Sequence, residues 1–168
     1  MKKFILTDET IEMFGVTLHR IKAVCSFGNV NEGDFGGYIE KEENLSHSGE
    51  AWVSGEARVY GKARVYGKAR VYGEAWVYGK ALVSGEAQVY GKARVSDFAD
   101  YIVFKNWWSS GRYFTWTRSN NMWSVGCFYG TGEELIKKAY KDSEKSGREY
   151  ERVVKFVQSI LEDEKNEK

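Results

Sequence analysis

A six-residue repeat occupies the middle of the chain and restricts its fold more than any other feature. From Ala51 to Ser96 the unit reads Ala-x-Val-(Tyr/Ser)-Gly-(Lys/Glu), and no insertion or deletion breaks its phase before the last unit ends. The alternation of Ala and Val with larger or polar residues predicts a short strand with one buried face, and the glycine permits a tight bend. Because the phase never reverses, the units cannot pair as hairpins and must wind onward as a coil.

Three units of six make a coil of 18 residues, so side chains 18 positions apart stack on parallel rungs about 4.8 Å apart. The interior of such a coil admits only small residues, here Ala and Val. Unpaired edges at both ends require caps. The predicted fold is mainly β with an α+β cap. It has a β-rich N-terminal cap (residues 1–44), a parallel β-helix of about three coils (45–103) and a C-terminal α+β domain (104–168).

The flanking segments contain their own strand and helix signals. Alternating stretches at 2–6 and 16–24 predict N-terminal strands, and residues 101–104, 112–117 and 122–129 predict C-terminal strands. The sequence Thr131-Gly132-Glu133-Glu134 is a capping box that predicts a helix to about Lys145. We expect Ser146-Gly147 to end that helix before a second one begins.

The repeat resembles the left-handed parallel β-helix of the hexapeptide-repeat family, in which an aliphatic residue is followed four positions later by a small one, as in Val59 with Ala63. Handedness is implied by this resemblance alone. The Val-Tyr-Gly units, the preceding segment 33–46 and the following segment 126–131 also resemble small phage and prophage proteins with a C-terminal α/β domain. That resemblance implies a phage protein in the host cytoplasm, with antagonism of host defence as a reasonable setting, and no family-wide activity.

Composition excludes several classes of protein. The 25 basic and 24 acidic residues leave a net charge of +1, so only local charge can indicate a partner. No apolar run approaches the roughly 18 to 20 residues that a membrane span needs, and the basic start turns acidic too soon for a leader. Cys25 and Cys127 lie far apart without clustered histidine, so we expect reduced, buried thiols in a cytoplasmic protein and neither a metal nor a cofactor.

The coil phase sorts the outward side chains onto three sides. Side A carries Trp52, Ser54, Arg70, Tyr72, Gln88 and Tyr90. Side C carries Arg64, Tyr66, Leu82, Ser84, Asp100 and Ile102. Side B and its corners carry four cations and no acid, and we call the following residues the basic strip: Arg58, Tyr60, Lys62, Trp76, Tyr78, Lys80 and Arg94.

The basic strip predicts a surface for an anionic ligand. Arg58, Trp76 and Arg94 should form a column of cation, ring and cation, worth about 0.5 to 1 kcal/mol per exposed contact. Lys62 and Lys80 should stack one rung apart, which is mildly destabilising. We therefore expect a nucleotide, a nucleic acid or an acidic host protein to bind here. The alternative is a solvated face whose charges have no role.

A turn in the C-terminal segment offers a second possible anion contact. Arg112 follows the sequence Trp107-Trp108-Ser109-Ser110-Gly111, whose backbone N–H groups are candidates for an anion nest. The alternative interpretation is a hairpin turn with two tryptophans in the core.

Two other functions compete with binding on the basic strip. Tyr66, Leu82 and Ile102 make side C the least polar, so the repeat can instead be a structural or oligomerisation module, with a homotrimer expected first. Resemblance to hexapeptide-repeat enzymes implies acyl transfer with a histidine base. The histidines are His19 and His47, no loop leaves the coils, and Cys127 has no histidine nearby in sequence. We therefore expect a non-catalytic protein without catalytic residues, and a hexapeptide-repeat acyltransferase stays as an alternative.

Overall fold

The computed structural model describes all 168 residues and places a β-solenoid between an N-terminal hairpin and a C-terminal α+β unit. The N-terminal strands are β1 (Phe4–Met13), β2 (Val16–Ala23) and β3 (Phe35–Ile39). The solenoid strands are β4 (Trp52–Val53), β5 (Arg58–Val59), β6 (Arg64–Val65), β7 (Arg70–Val71), β8 (Trp76–Val77), β9 (Leu82–Val83), β10 (Gln88–Val89) and β11 (Arg94–Val95). The C-terminal elements are β12 (Tyr101–Lys105), β13 (Tyr113–Thr117), β14 (Met122–Val125), β15 (Phe128–Gly130), α1 (Gly132–Asp142) and α2 (Glu144–Asn166).

Solenoid strands that lie three units apart along the chain pair in parallel. Trp52 lies opposite Arg70, and Arg58 lies opposite Trp76. Side A is the sheet β4-β7-β10, side B contains β5-β8-β11, and side C is the pair β6-β9. The result is about three turns, so the winding expected from the six-residue period is confirmed.

The repeat alanines and valines form one continuous core inside the solenoid. Residues such as Val59, Val77 and Ala75 are completely buried, and Phe4 and Ile39 of the N-terminal segment join the same cluster. The corner glycines have positive φ, for example +70° at Gly61, a conformation that side chains other than glycine adopt at a cost. Glycine at the corner therefore makes the bend between successive strands possible.

Side chains of the N-terminal segment close the lower edge of the solenoid. The buried amide of Asn44 donates hydrogen bonds to the carbonyls of Gly61 and Ala63 at 3.2 and 2.8 Å. The Glu40 carboxylate accepts from the Gly61 amide at 2.6 Å. The Lys3 ammonium donates to the Ala51 carbonyl at 2.8 Å. These bonds satisfy backbone groups that no lower coil pairs.

The N-terminal hairpin extends the sheet of side B. Strand β3 pairs with β5 in parallel, and the sheet order is β1-β2-β3-β5-β8-β11. The turn between β1 and β2 uses Phe14 and Gly15, both at positive φ. Strand β1 is longer than the sequence indicates, because an irregularity between Leu6 and Thr10 shifts the register and interrupts its alternation.

Hydroxyl groups of the C-terminal sheet close the upper edge of the solenoid. The backbone amide of Gln88 donates to Thr115 Oγ1 at 2.9 Å, and the backbone amide of Arg94 donates to Ser119 Oγ at 2.7 Å. Strands β12 to β15 form one antiparallel sheet, with a second core that includes Trp116 and Trp123.

Two expectations for the C-terminal unit are wrong in detail. The stretch 122–129 is two strands, because Gly126 (φ +57°) and Cys127 form a turn between β14 and β15. The helix break lies at Ser143, whose backbone is extended. The Ser143 hydroxyl accepts from the Ser146 amide and caps the start of α2. The capping box at Thr131 is confirmed. No helix is long and apolar enough to cross a bilayer.

Candidate ligand-binding surface

The column at the centre of the basic strip forms as the stacking predicts. The guanidinium carbon of Arg94 lies 3.9 Å from the Trp76 ring centroid, and that of Arg58 lies 5.5 Å from it. Arg94 Nη1 also donates to the carbonyls of Glu74, Lys92 and Ala93 at 3.1 to 3.3 Å. Arg94 is therefore a fixed cation, held by backbone acceptors against the indole ring.

The outer part of the basic strip is aromatic and basic. Tyr60 and Tyr78 stack with centroids 5.4 Å apart and planes 9° apart. Burial raises the pKa of the Tyr60 hydroxyl, so this group stays a neutral donor. Lys62 and Lys80 are exposed, and neither is among the residues that form ion pairs. The two ammonium groups are thus free to meet an external anion.

The hairpin turn adds an aromatic side chain that the sequence reasoning missed. The Phe14 ring meets Trp76 edge-on, with centroids 5.9 Å apart and planes 70° apart. Phe14 is nevertheless 79% exposed. The only local signal was the Phe14-Gly15 turn, because the contact depends on the pairing of β3 with β5.

Two donors inside the column have no acceptor. Arg58 Nε and Trp76 Nε1 are buried without a hydrogen-bond partner. A buried donor left unpaired costs about 1 to 3 kcal/mol, and such groups in native structures call for an explanation.

Carboxylates contributed by the N-terminal segment lie near side B but are already engaged. Glu40 accepts from the Gly61 amide, as described above. Glu9 pairs with Arg20 at 2.9 Å and accepts from the Tyr38 hydroxyl at 3.1 Å. The hydrogen bond from Arg20 lowers the pKa of Glu9. Neither acid forms an ion pair with Lys62 or Lys80.

Arg112 lies apart from the basic strip. It lines a cavity of about 180 Å³ in the C-terminal unit, together with Phe114 and Tyr150. The amides of Gly111 and Ser109 already donate to Asn106, at 2.8 and 2.9 Å. The structure therefore does not bring Arg112 together with Arg58 or Arg94, and two of the amides expected to form an anion nest are occupied.

The candidate catalytic residues have structural contacts. His47 Nδ1 accepts from the Lys3 amide at 3.1 Å, Nε2 lies 3.3 Å from Glu42, and the ring stacks on Phe4 at 4.2 Å. Cys127 is exposed rather than buried, since it occupies the turn between β14 and β15. Cys25 is partly buried.

Side C leaves apolar side chains at the surface. Leu82 is 46% exposed and Tyr66 is 39% exposed, while Ile102 is partly buried. Ile102 also lines a cavity of about 520 Å³ with Phe98 and Tyr113. The chain's own C-terminal unit thus covers only part of side C.

A comparison with known protein families matches part of the solenoid. The family described as the YdcK beta solenoid repeat matches residues 63–79, which lie within the stacked strands. The chain is a β-solenoid repeat protein. This β-solenoid has no match among curated proteins.

Proposed function

We propose that this β-solenoid is a non-catalytic binding protein that holds an anionic ligand on its basic strip. The observation that carries the proposal is the pair of exposed, unpaired ammonium groups of Lys62 and Lys80 beside a stacked tyrosine pair. Free cations next to accessible aromatic rings are the means by which proteins bind single-stranded nucleic acid without sequence preference.

Among anionic ligands, a nucleic acid strand fits this surface better than a free nucleotide or an acidic protein. None of the five main cavities, of about 180 to 520 Å³, is lined by a residue of the basic strip. A free nucleotide needs enclosure. An acidic protein would use the ammonium groups but has no need of the exposed Phe14 ring beside Trp76.

The strip also limits the strength of binding. Its four cations predict a slope of log affinity against log salt no steeper than about −3 for a single strand. Binding should therefore be weak in one copy and sensitive to salt.

The test is the affinity of a fluorescein-labelled single-stranded oligonucleotide, measured by anisotropy at low salt. Lys62→Glu with Lys80→Glu should lower affinity at least about tenfold, because each ammonium contact to a phosphate is lost and repulsion replaces it. Both side chains are exposed, so the variant should fold. Lys68→Glu with Lys92→Glu makes the same change in net charge on other corners and should lower affinity much less. Equal losses in the two double variants would contradict the basic strip as the site.

The biological setting in this proposal is a phage protein that acts on host defence in the host cytoplasm. Its support is the resemblance of segments 33–46 and 126–131 to phage and prophage proteins. The setting agrees with a binding protein that sequesters a ligand rather than transforming it.

A structural or oligomerisation module is the second candidate function. The observation that favours it is the exposed apolar surface of side C, formed by Leu82 and Tyr66. A homotrimer joined through this side would bury that surface.

A further inference from the structure

A column of tyrosines on side A is interrupted at its lower end. Tyr90 stacks on Tyr72 with centroids 4.4 Å apart, and Tyr129 closes the upper face of Tyr90 edge-on at 4.6 Å. The residue below Tyr72 in the column is Ser54, which carries no ring. The lower face of Tyr72 is therefore without an aromatic partner.

The space beside this ring is a cleft formed by all three parts of the molecule. Its volume is about 280 Å³, and its lining residues are Asn29, Ser54, Arg70, Tyr72, Gln88 and Gly126. Asn29 belongs to the loop between β2 and β3, and Gly126 belongs to the turn between β14 and β15. No carboxylate lines the cleft.

Arg70 supplies a positive charge to the cleft without a direct ion pair. It is partly buried, and burial lowers the pKa of its guanidinium, while the charge of Glu50 acts in the opposite direction. Burial and the charge of Arg70 together lower the pKa of Lys3 to about 8. Arg70 thus lies near a second cation, Lys3, and an additional anion would stabilise this arrangement.

The remaining polar side chains of the cleft can each donate a hydrogen bond. Gln88 uses its carbonyl oxygen to accept from the Tyr72 hydroxyl at 3.3 Å, which leaves its amide N–H groups without a partner. Asn29 contributes a second side-chain amide, and Ser54 contributes a hydroxyl. Donors around a cation favour a ligand that carries a carboxylate or a phosphate.

We propose that this cleft binds a small aromatic anion, with its ring between Tyr72 and Ser54 and its anionic group on Arg70. The ring would complete the interrupted column, and the anionic group would form the direct ion pair that Arg70 lacks within the chain. A volume of about 280 Å³ is at the small end of ligand cavities, so the ligand has one ring system and one anionic group. The site lies on a different side from the basic strip and does not depend on it.

The test measures binding of two probes by isothermal titration calorimetry. Uridine 5′-monophosphate carries a phosphate and indole-3-acetate carries a carboxylate, so the two probes distinguish the anionic group. We expect the wild type to bind at least one of them with a dissociation constant below about 1 mM. Failure to bind either probe at that level overturns the proposal.

The decisive variant is Ser54→Tyr, which puts the chain's own ring where the ligand ring would lie. It extends the stack of Tyr72 and Tyr90 and should keep or raise the thermal midpoint, while affinity for the probe falls at least about tenfold. Ser84→Tyr makes the same substitution at the same position of another unit, on side C, and should leave affinity unchanged. A folded Ser54→Tyr variant that binds as tightly as the wild type overturns the proposal.

A charge variant keeps the test valid if Ser54→Tyr fails to fold. Arg70→Gln should lower the affinity for the probe at least about tenfold, because a charged hydrogen bond is lost. Arg64→Gln on side C should leave that affinity unchanged. Oligonucleotide binding by the basic strip should be unaltered in Arg70→Gln. The proposal for the cleft and the proposal for the basic strip can thus be contradicted independently of each other.

Discussion

At the scale of single residues, the corner glycines differ in how closely the next rung approaches them. Gly79 and Gly85 have the same φ of +63°, so the conformational cost of a side chain is equal at both. A Cβ at Gly79 would lie 2.9 Å from the Ser96 carbonyl oxygen, whereas nothing lies within 4 Å of one at Gly85. The pair therefore separates backbone conformation from crowding.

We predict that Gly85→Ala lowers the free energy of unfolding by about 1 kcal/mol, the cost of a left-handed alanine. Gly79→Ala should lower it by about 1 kcal/mol more, because the rung above must shift away from the new methyl group. Urea denaturation of both variants measures the difference. Equal losses would show that the rungs move apart without cost.

The repeat residues could be assigned from sequence because their environment is periodic, and the unique residues could not. Ala75 and Val77 are buried as their phase predicts. Cys127 has the apolar neighbours Val125 and Phe128, which favoured a buried thiol. The turn that begins at Gly126 directs it outward instead, and that turn depends on the pairing of β14 with β15.

At the scale of elements, the hairpin β1–β2 combines an unfavourable turn residue with a useful position. Phe14 has φ +52°, a conformation that asparagine tolerates far better than a bulky side chain. The Phe14 ring nevertheless extends the aromatic surface of the basic strip beside Trp76. The turn therefore retains a strained residue at the place where a ligand would meet it.

We predict that Phe14→Asn maintains or increases stability while it weakens oligonucleotide binding at least about fivefold, since one stacking platform is lost. Phe98→Asn is the matched control, because Phe98 is equally exposed, at 79%, but lines the cavity on side C. Anisotropy and urea denaturation provide the two measurements. Unchanged affinity in Phe14→Asn would remove the hairpin from the site.

The sequence predicts the existence of these elements more reliably than it predicts their first and last residues. The capping box at Thr131 has a local cause, namely its reciprocal bonds with Glu134, and it was predictable. The sequence predicted that Ser146-Gly147 ends α1, but the helix ends at Asp142, before Ser143. In the structure Gly147 lies inside α2, where the absence of a side chain leaves room for the Tyr140 ring. Such packing between helices is not visible in local sequence.

At the scale of the whole molecule, the exposed apolar surface of side C bears on the oligomeric state. If side C joins copies of the chain, Leu82→Lys should dissociate the oligomer, because it places an ammonium group in an apolar interface. Leu82→Met keeps the surface apolar and should preserve the assembly. Light scattering reports the mass. A monomeric wild type, or a Leu82→Lys variant of unchanged mass, contradicts the oligomerisation module.

The winding of the solenoid was predictable, but the relation between its surfaces and its ends was not. The phase of six residues places Arg58, Trp76 and Arg94 in one column, and that is where they lie. Arg112 could not be placed, because the orientation of the C-terminal sheet depends on contacts such as that of Gln88 with Thr115. Those contacts join distant segments and have no periodic signature.

Both edges of the solenoid are closed by groups outside the repeat: Asn44 and Glu40 below, Thr115 and Ser119 above. The residues that close the two edges therefore do not fix the number of units between those edges. A duplication of three units would add one complete coil and leave the orientation of the two ends relative to each other unchanged. A duplication of a single unit would instead rotate one end by a third of a turn relative to the other. Each side of the solenoid would then lie below a different part of the C-terminal unit. Small changes in copy number can thus reorient this molecule without altering any single residue.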